Sequence, residues 1–340
     1  MKKEEKQKKK KRKILLSLIM ILFVGVILTA STYTWFTANR TVTVDQLDVN
    51  VSTSTGLQIS VDATNWKTLI TKDDILGAQT NYTTAVNQVP AGQTTPVSSI
   101  GEVDPGTGFI KMFKGELVND EDLGHLVLSA NQSTETNGTT GDFIAFDLFF
   151  QTNEAMEIRL TSNSNVVAGT TDTSIENAAR VAFVPQGHAA AGTAPAEIQK
   201  LKAADSTEVK IWEPNYDVHT AAAVNNAWDS YQLRTQQTGA TRLKYYGVKA
   251  DIPAGGKIPV NSQDSTYFAD MDTTLADRLL TTPESGIPTT DYLEVLSLEA
   301  GVTKVRIYMW VEGQDVDCEN YASGGDLSFN LQFSSLENAG

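Results

Sequence analysis

The densest run of chemistry-bearing side chains is Glu312-Gly313-Gln314-Asp315-Val316-Asp317-Cys318-Glu319-Asn320. Alternating Asp315, Asp317 and Glu319 could converge their carboxylates on a hard cation such as calcium, which takes oxygen ligands. The run lacks the central Gly and the twelfth-position Glu of an EF-hand loop, so a solvated acidic turn is the competing reading. Cys318 is the sole cysteine, which rules out an intrachain disulfide. Its acidic neighbours disfavour a thiolate, and it reads as a tolerated turn thiol.

Catalytic constellations are missing. The three histidines, His125, His188 and His219, have no H-E-x-x-H spacing that would put two imidazoles on one helical face for zinc. Neither a G-x-S-x-G elbow nor a phosphate-cradling P-loop occurs. The expectation is therefore a non-catalytic protein with no evident small-molecule substrate and no cofactor besides the calcium just considered. A secreted hydrolase with an unrecognised carboxylate site is the rival in the enzyme class.

The elements around these residues read as strands. Val305, Ile307, Met309 and Val311 alternate with Arg306, Tyr308, Trp310 and Glu312, and Leu327, Phe329, Leu331 and Phe333 alternate with Ser328, Asn330, Gln332 and Ser334. The pair predicts a hairpin-like closing unit with one apolar face. Tyr308 and Trp310 then form an exposed aromatic patch or pack under a second layer. Phe143 to Phe150 is apolar on both faces and predicts a central sandwich strand with Met156 to Leu160 as its neighbour. Near the start, Val42 and Val44 share one phase and Leu47, Val49 and Val51 another, so a bulge or break falls between Val44 and Leu47. Leu57, Ile59 and Val61 point inward from a further strand. Thr173 and Glu176 form a capping box for a short helix, and a second helix is expected at Ala196 to Lys202. Residues 77–108 are polar and turn-prone, an expected surface excursion, and 185–290 form a second weakly patterned insertion. The fold class expected is mainly β, a jelly-roll-like antiparallel β-sandwich with short helices in the insertions, preceded by one N-terminal hydrophobic helix.

Charge and hydropathy supply the compartment. The 340 residues carry 27 Lys or Arg against 41 Asp or Glu, but residues 1–13 hold nine of the cations; the remainder has a net charge of −21. So acidic a body repels nucleic acid. Ile14 to Ala30 contains no charge, and only Ser17 and Thr29 are polar. With its flank to residue 36 it is a signal peptide or transmembrane helix, and the positive-inside rule places residues 1–13 in the cytoplasm and 37–340 outside. An exported chain with one thiol fits a bacterial cell surface.

Four pieces carry a family resemblance: Thr32-Tyr33-Thr34-Trp35-Phe36-Thr37 after the hydrophobic core, the opening strands Thr41 to Asp62, Asn177-Ala178-Ala179-Arg180-Val181-Ala182-Phe183, and the terminal pair Lys304 to Glu312 with Asp326 to Ser334. Together they cover about a third of the chain and resemble the TasA and camelysin-like exported proteins of Gram-positive bacteria. The resemblance implies a signal peptide cut by a dedicated signal peptidase, a jelly-roll-like sandwich, and polymerisation into biofilm-matrix fibres by donation of an N-terminal strand. Residues Val42, Val44, Leu47, Val49 and Val51 then occupy the donor strand. Pairing of this strand within its own sandwich is the alternative. The large insertions and the Lys-rich leader depart from the family pattern. They leave open a membrane-anchored, monomeric adhesion or binding module that uses the loops at 77–108 or 185–290.

Overall fold

The computed structural model describes residues 42–52, 56–92, 94–122, 125–171, 173–205, 207–221, 223–224, 243–259, 263–289, 293–318 and 324–335. The leader, the hydrophobic segment 14–36 and Glu319 lie outside them. Among the described residues no helix is long and apolar enough to cross a membrane.

The protein is mainly β. In chain order the strands are β1 (Thr43–Val51), β2 (Gln58–Ser60), β3 (Leu69–Thr71), β4 (Val103–Asp104), β5 (Phe109–Ile110), β6 (Met112–Asp120) and β7 (His125–Ser133). They continue as β8 (Ile144–Thr152), β9 (Met156–Leu160), β10 (Asn165–Ala168), β11 (Ala179–Ala189), β12 (Lys210–Glu213) and β13 (Tyr246–Val248). The last are β14 (Ile258–Pro259), β15 (Phe268–Asp270), β16 (Leu279–Thr281), β17 (Leu293–Leu298), β18 (Gly301–Val311) and β19 (Asp326–Ser335). Helices are short, at Lys72–Gly77, Pro195–Ile198 and Met271–Thr274.

Two six-stranded sheets dominate. One runs β17-β9-β19-β1-β3, with β10 also on β19; the other runs β16-β12-β11-β18-β8-β2. Their facing sides share one apolar core, in which Phe333 of the first sheet meets Phe150 and Phe183 of the second edge to face, with centroids 5.2 and 5.9 Å apart. Each such ring withdrawn from water contributes about 1.5–3 kcal/mol. The sheets are mixed, not purely antiparallel, because β1 runs parallel to β19 and β12 parallel to β16.

The bulge expected after Val44 is present, between Val44 and Gln46 in the pairing of β1 with β19. The double-faced run at Phe143 to Phe150 is a central strand, β8, between β18 and β2. Two pairings differ from expectation. β9 is not the neighbour of β8, since the chain crosses at Asn153 to Ala155 into the opposite sheet, where β9 pairs with β17 and β19. Nor do β18 and β19 form a hairpin: β18 lies between β11 and β8, and β19 lies in the other sheet. Each needs only one apolar face to bury against the common core, and that face is the same whether the two strands pair side by side or meet across the sandwich.

The expected surface excursion at 77–108 is mostly buried. Val89, Val97, Ile100 and Val103 are within the interior, and with Ala203, Val209, Ile211, Tyr245 and Met271 they roof the outer face of the β11-β18-β8 sheet. Turn-rich composition describes the backbone path of this roof and not its exposure. The expected helix near Thr173 is a single 3-10 turn, Ile175–Ala178, preceded by Ser174 in the left-handed region and without the side-chain cap. The helix expected at Ala196 to Lys202 is shorter, Pro195–Ile198.

Candidate functional site

The roof makes the outer face of β18 an interior surface that carries charge. Strand alternation puts Lys304, Arg306, Tyr308 and Trp310 there, and all four are buried. Arg306 donates to Asp147 Oδ1 of β8 at 2.8 Å, to Glu135, and to the carbonyl of Val86 at 2.5 Å; Phe109 stacks under the guanidinium, its centroid 4.2 Å from Cζ. Lys304 Nζ lies 3.1 Å from Asp147 Oδ2 and donates to the Tyr82 hydroxyl and to the carbonyls of Gln199 and Leu201. Tyr82 donates to Asp147 at 2.9 Å, and Tyr308 to Glu135 at 2.5 Å. Burial works against ionising Asp147, but Arg306 and Lys304 outweigh it and hold the carboxylate below its ordinary range. The group joins two cations to two carboxylates, and its ligands come from the roof segments at 82–86, 109, 135 and 199–201.

A second cluster occupies the same face toward the other end of β18. The 3-10 turn at Ile175–Ala178 delivers Arg180, fully buried, opposite Trp310 in the β11–β18 register. Its Nη2 donates to Glu213 at 2.7 Å and to Asp315, its Nη1 to the carbonyl of Ala179 at 2.7 Å, and Tyr245 stacks on the guanidinium at 4.7 Å. Asp317 is within 2.7 Å of His219 Nδ1. Glu312 accepts from Ser99 N, Trp310 Nε1 and Gln314 N. Desolvation dominates here: it pushes Glu312 up to about 7 and Asp317 up to about 7. Burial alone would lower His219, but the bond to Asp317 and the nearby carboxylates raise it.

The acidic turn is therefore not solvated. Asp315 and Asp317 are 8% and 1% exposed and are engaged by Arg180 and His219, while Glu319 lies outside the described residues. Among the described residues no group of three or more His, Cys, Asp or Glu side chains is placed to hold a metal ion. Cys318 is also buried, in the main apolar core and not in an open turn. Tyr308 and Trp310 pack under the second layer and make no exposed patch.

Arg180, Glu213, Glu135, Asp147, Tyr82 and Lys304 did not stand out in the sequence as site residues. A signal was present in two of them. A carboxylate inside the apolar run Phe143 to Phe150, and an arginine inside Ala178-Ala179-Arg180-Val181-Ala182-Phe183, each demand a buried partner of opposite charge.

The candidate donor residues all lie in the chain's own sheet. Leu47, Val49 and Val51 are in the core, Val42 bridges to Thr94, and Val44 is half-buried against the core. β1 pairs with β19 from Thr43↔Asp326 to Val51↔Phe333, whereas β3 covers it only at Asp48, Asn50 and the residue between them.

One open concavity remains, a cleft of about 590 Å³ bounded by segments 162–168, 174–177, 212–218 and 282–286. It lies where β10 of one sheet approaches the β12–β16 end of the other. Comparison with protein-family models, with curated proteins and with solved structures finds no match to this chain.

Proposed function

We infer that the chain is a non-catalytic structural protein of a bacterial cell surface, delivered across the membrane by residues 14–36 and assembled into fibres by exchange of its first strand. The observation that carries this reading is the place of β1. It is the first described strand, it pairs in parallel with the last one, and beyond β19 only a three-residue contact with β3 holds it. Parallel neighbours cannot be joined by a tight turn, so β1 connects onward only through Ser52 and the short link to Gly56. A neighbouring copy's β1 could make the same main-chain bonds and bury the same Leu47, Val49 and Val51 side chains, so exchange costs little once the link extends.

Jelly-roll-like connectivity belongs to the same reading, supported by the repeated passage between sheets from β8 to β9 and from β18 to β19. The charged clusters then act as struts that fix the roof to the sheet. A calcium ion at Asp315 and Asp317 would have to displace Arg180 and His219, so those residues take a structural role. The test is electron microscopy of residues 37–340 against the same protein lacking 37–46. Filaments from the longer protein that vanish on deletion are expected; filaments that survive it, or dispersed particles from both, would refute strand exchange.

A further inference from the structure

The cleft between β10 and the β12–β16 end presents mostly neutral hydrogen-bonding groups from four separate segments. Asn165, Asn177, Asn215 and Thr282 line it together with the carboxylates of Glu176 and Glu284, and the rings of Pro214 and Pro283 provide apolar wall. Its volume of about 590 Å³ falls within the ~300–1,000 Å³ of small-molecule sites. The backbone around it is held in sparsely populated conformations: Ser174 at φ 59 and Asn215 at φ 56 are two of the four described non-glycine residues with positive φ, and Gly286 at φ 86 adds a third left-handed position to the rim. Such residues collect at ligand sites because the surrounding structure must over-determine them. Here it does. Asn215 Nδ2 donates to the carbonyl of Val166 at 3.0 Å, Glu284 N to Asp217 at 2.8 Å, and Trp212 Nε1 to Thr282 at 2.9 Å.

The geometry points to a saccharide site, taking a neutral or amine-bearing mono- or disaccharide unit of a larger glycan. Hydroxyl groups both donate and accept. They match side-chain amides and hydroxyls that face in several directions, and the two carboxylates accept hydroxyl hydrogens while repelling uronic or phosphorylated sugars. The C–H face of a pyranose suits the proline wall. An extended peptide fits less well, because the Val166 carbonyl on the β10 edge is already taken by Asn215. This inference is independent of strand exchange and would give the surface protein a way to hold a glycan.

The test is isothermal titration of the intact chain, in a detergent without a sugar headgroup, with cellobiose, N,N′-diacetylchitobiose and an alternating Thr-Val hexapeptide. Saturable binding of at least one disaccharide is expected. Loss of a directed hydrogen bond or of cleft volume should weaken it about tenfold or more in Glu284→Lys, an exposed position, and in Val218→Trp, which fills the cleft. The thermal midpoint of Glu284→Lys should match the parent, which separates lost binding from lost folding. No disaccharide binding, binding unchanged in Glu284→Lys, or binding of the hexapeptide alone would overturn the proposal.

Discussion

Strands β18 and β19 have the same written pattern, apolar at every second residue, yet one is buried along both faces and the other along only one. Every described position of β18 from Gly301 to Val311 is buried, whereas β19 alternates strictly between half-buried and buried. The inner faces are alike, and Phe333, Phe150 and Phe183 show how they meet. The outer faces differ in chemistry before they differ in burial. β19 offers Ser328, Asn330, Gln332 and Ser334, short neutral groups content with water, while β18 offers Lys304, Arg306, Tyr308, Trp310 and, just beyond it, Glu312. Long cationic and aromatic side chains can be roofed if carboxylates come with the roof, and Glu135, Asp147, Glu213 and Asp315 do so. The difference teaches that polar alternation marks a strand but does not say which side meets solvent.

The contrast can be broken most forcefully at Arg306. Arg306→Ala strips the partner from Asp147 and Glu135 inside the protein and is expected to cost about 3–5 kcal/mol in chemical denaturation. A loss below 1 kcal/mol would mean that the roof opens to water. Next comes pH. Glu312 titrates at about 7 in the folded protein, above its ordinary 4.5, so its contribution to stability is complete below about 4.5 and lost as pH rises toward 7. The loss is about 3 kcal/mol, and Asp317 and His219 act with the same sign. Glu312→Gln should therefore flatten the fall in stability between pH 4.5 and 7, measured by urea midpoints across that range. A smaller effect is expected at Asp62. It accepts from Thr64 N, Asn65 N and Asn81 Nδ2, which hold it at about 2 although burial opposes them. Asp62→Ala should cost about 1 kcal/mol at neutral pH, as the loss of a capping side chain does, with the difference disappearing in acid. The smallest change sharpens the comparison from the other side: Ser328→Ala on the outer face of β19 should stay within ~0.5 kcal/mol of the parent.

What could be read from residues alone follows from which forces are local. The strand class, the bulge after Val44 and the central place of Phe143 to Phe150 come from side-chain alternation, a property of neighbouring residues. Partners across the sandwich do not. An alternating strand buries the same face whichever sheet it joins, so β9 and β19 were assigned to the wrong neighbours. The acidic turn failed for a related reason: Asp315 and Asp317 look solvated until Arg180, 135 residues away from Asp315, is seen to reach the turn. The cleft was illegible because its four segments are distant in sequence, and Ser174 and Asn215 reveal their backbone strain only when folded.

The place of β1 is tested most directly by cysteine trapping. Asp48 and Asn330 are paired across β1 and β19, and neighbouring strands ~4.8 Å apart lie within disulfide reach. One preparation carries Asp48→Cys, another Asn330→Cys, and the two are mixed under assembly conditions and oxidised. Strand exchange should yield an interchain disulfide between the two kinds of copy, and the double variant should give a ladder of linked multimers. A mixture that stays uncrosslinked, with the double variant closing only within its own chain, would contradict assembly through the first strand.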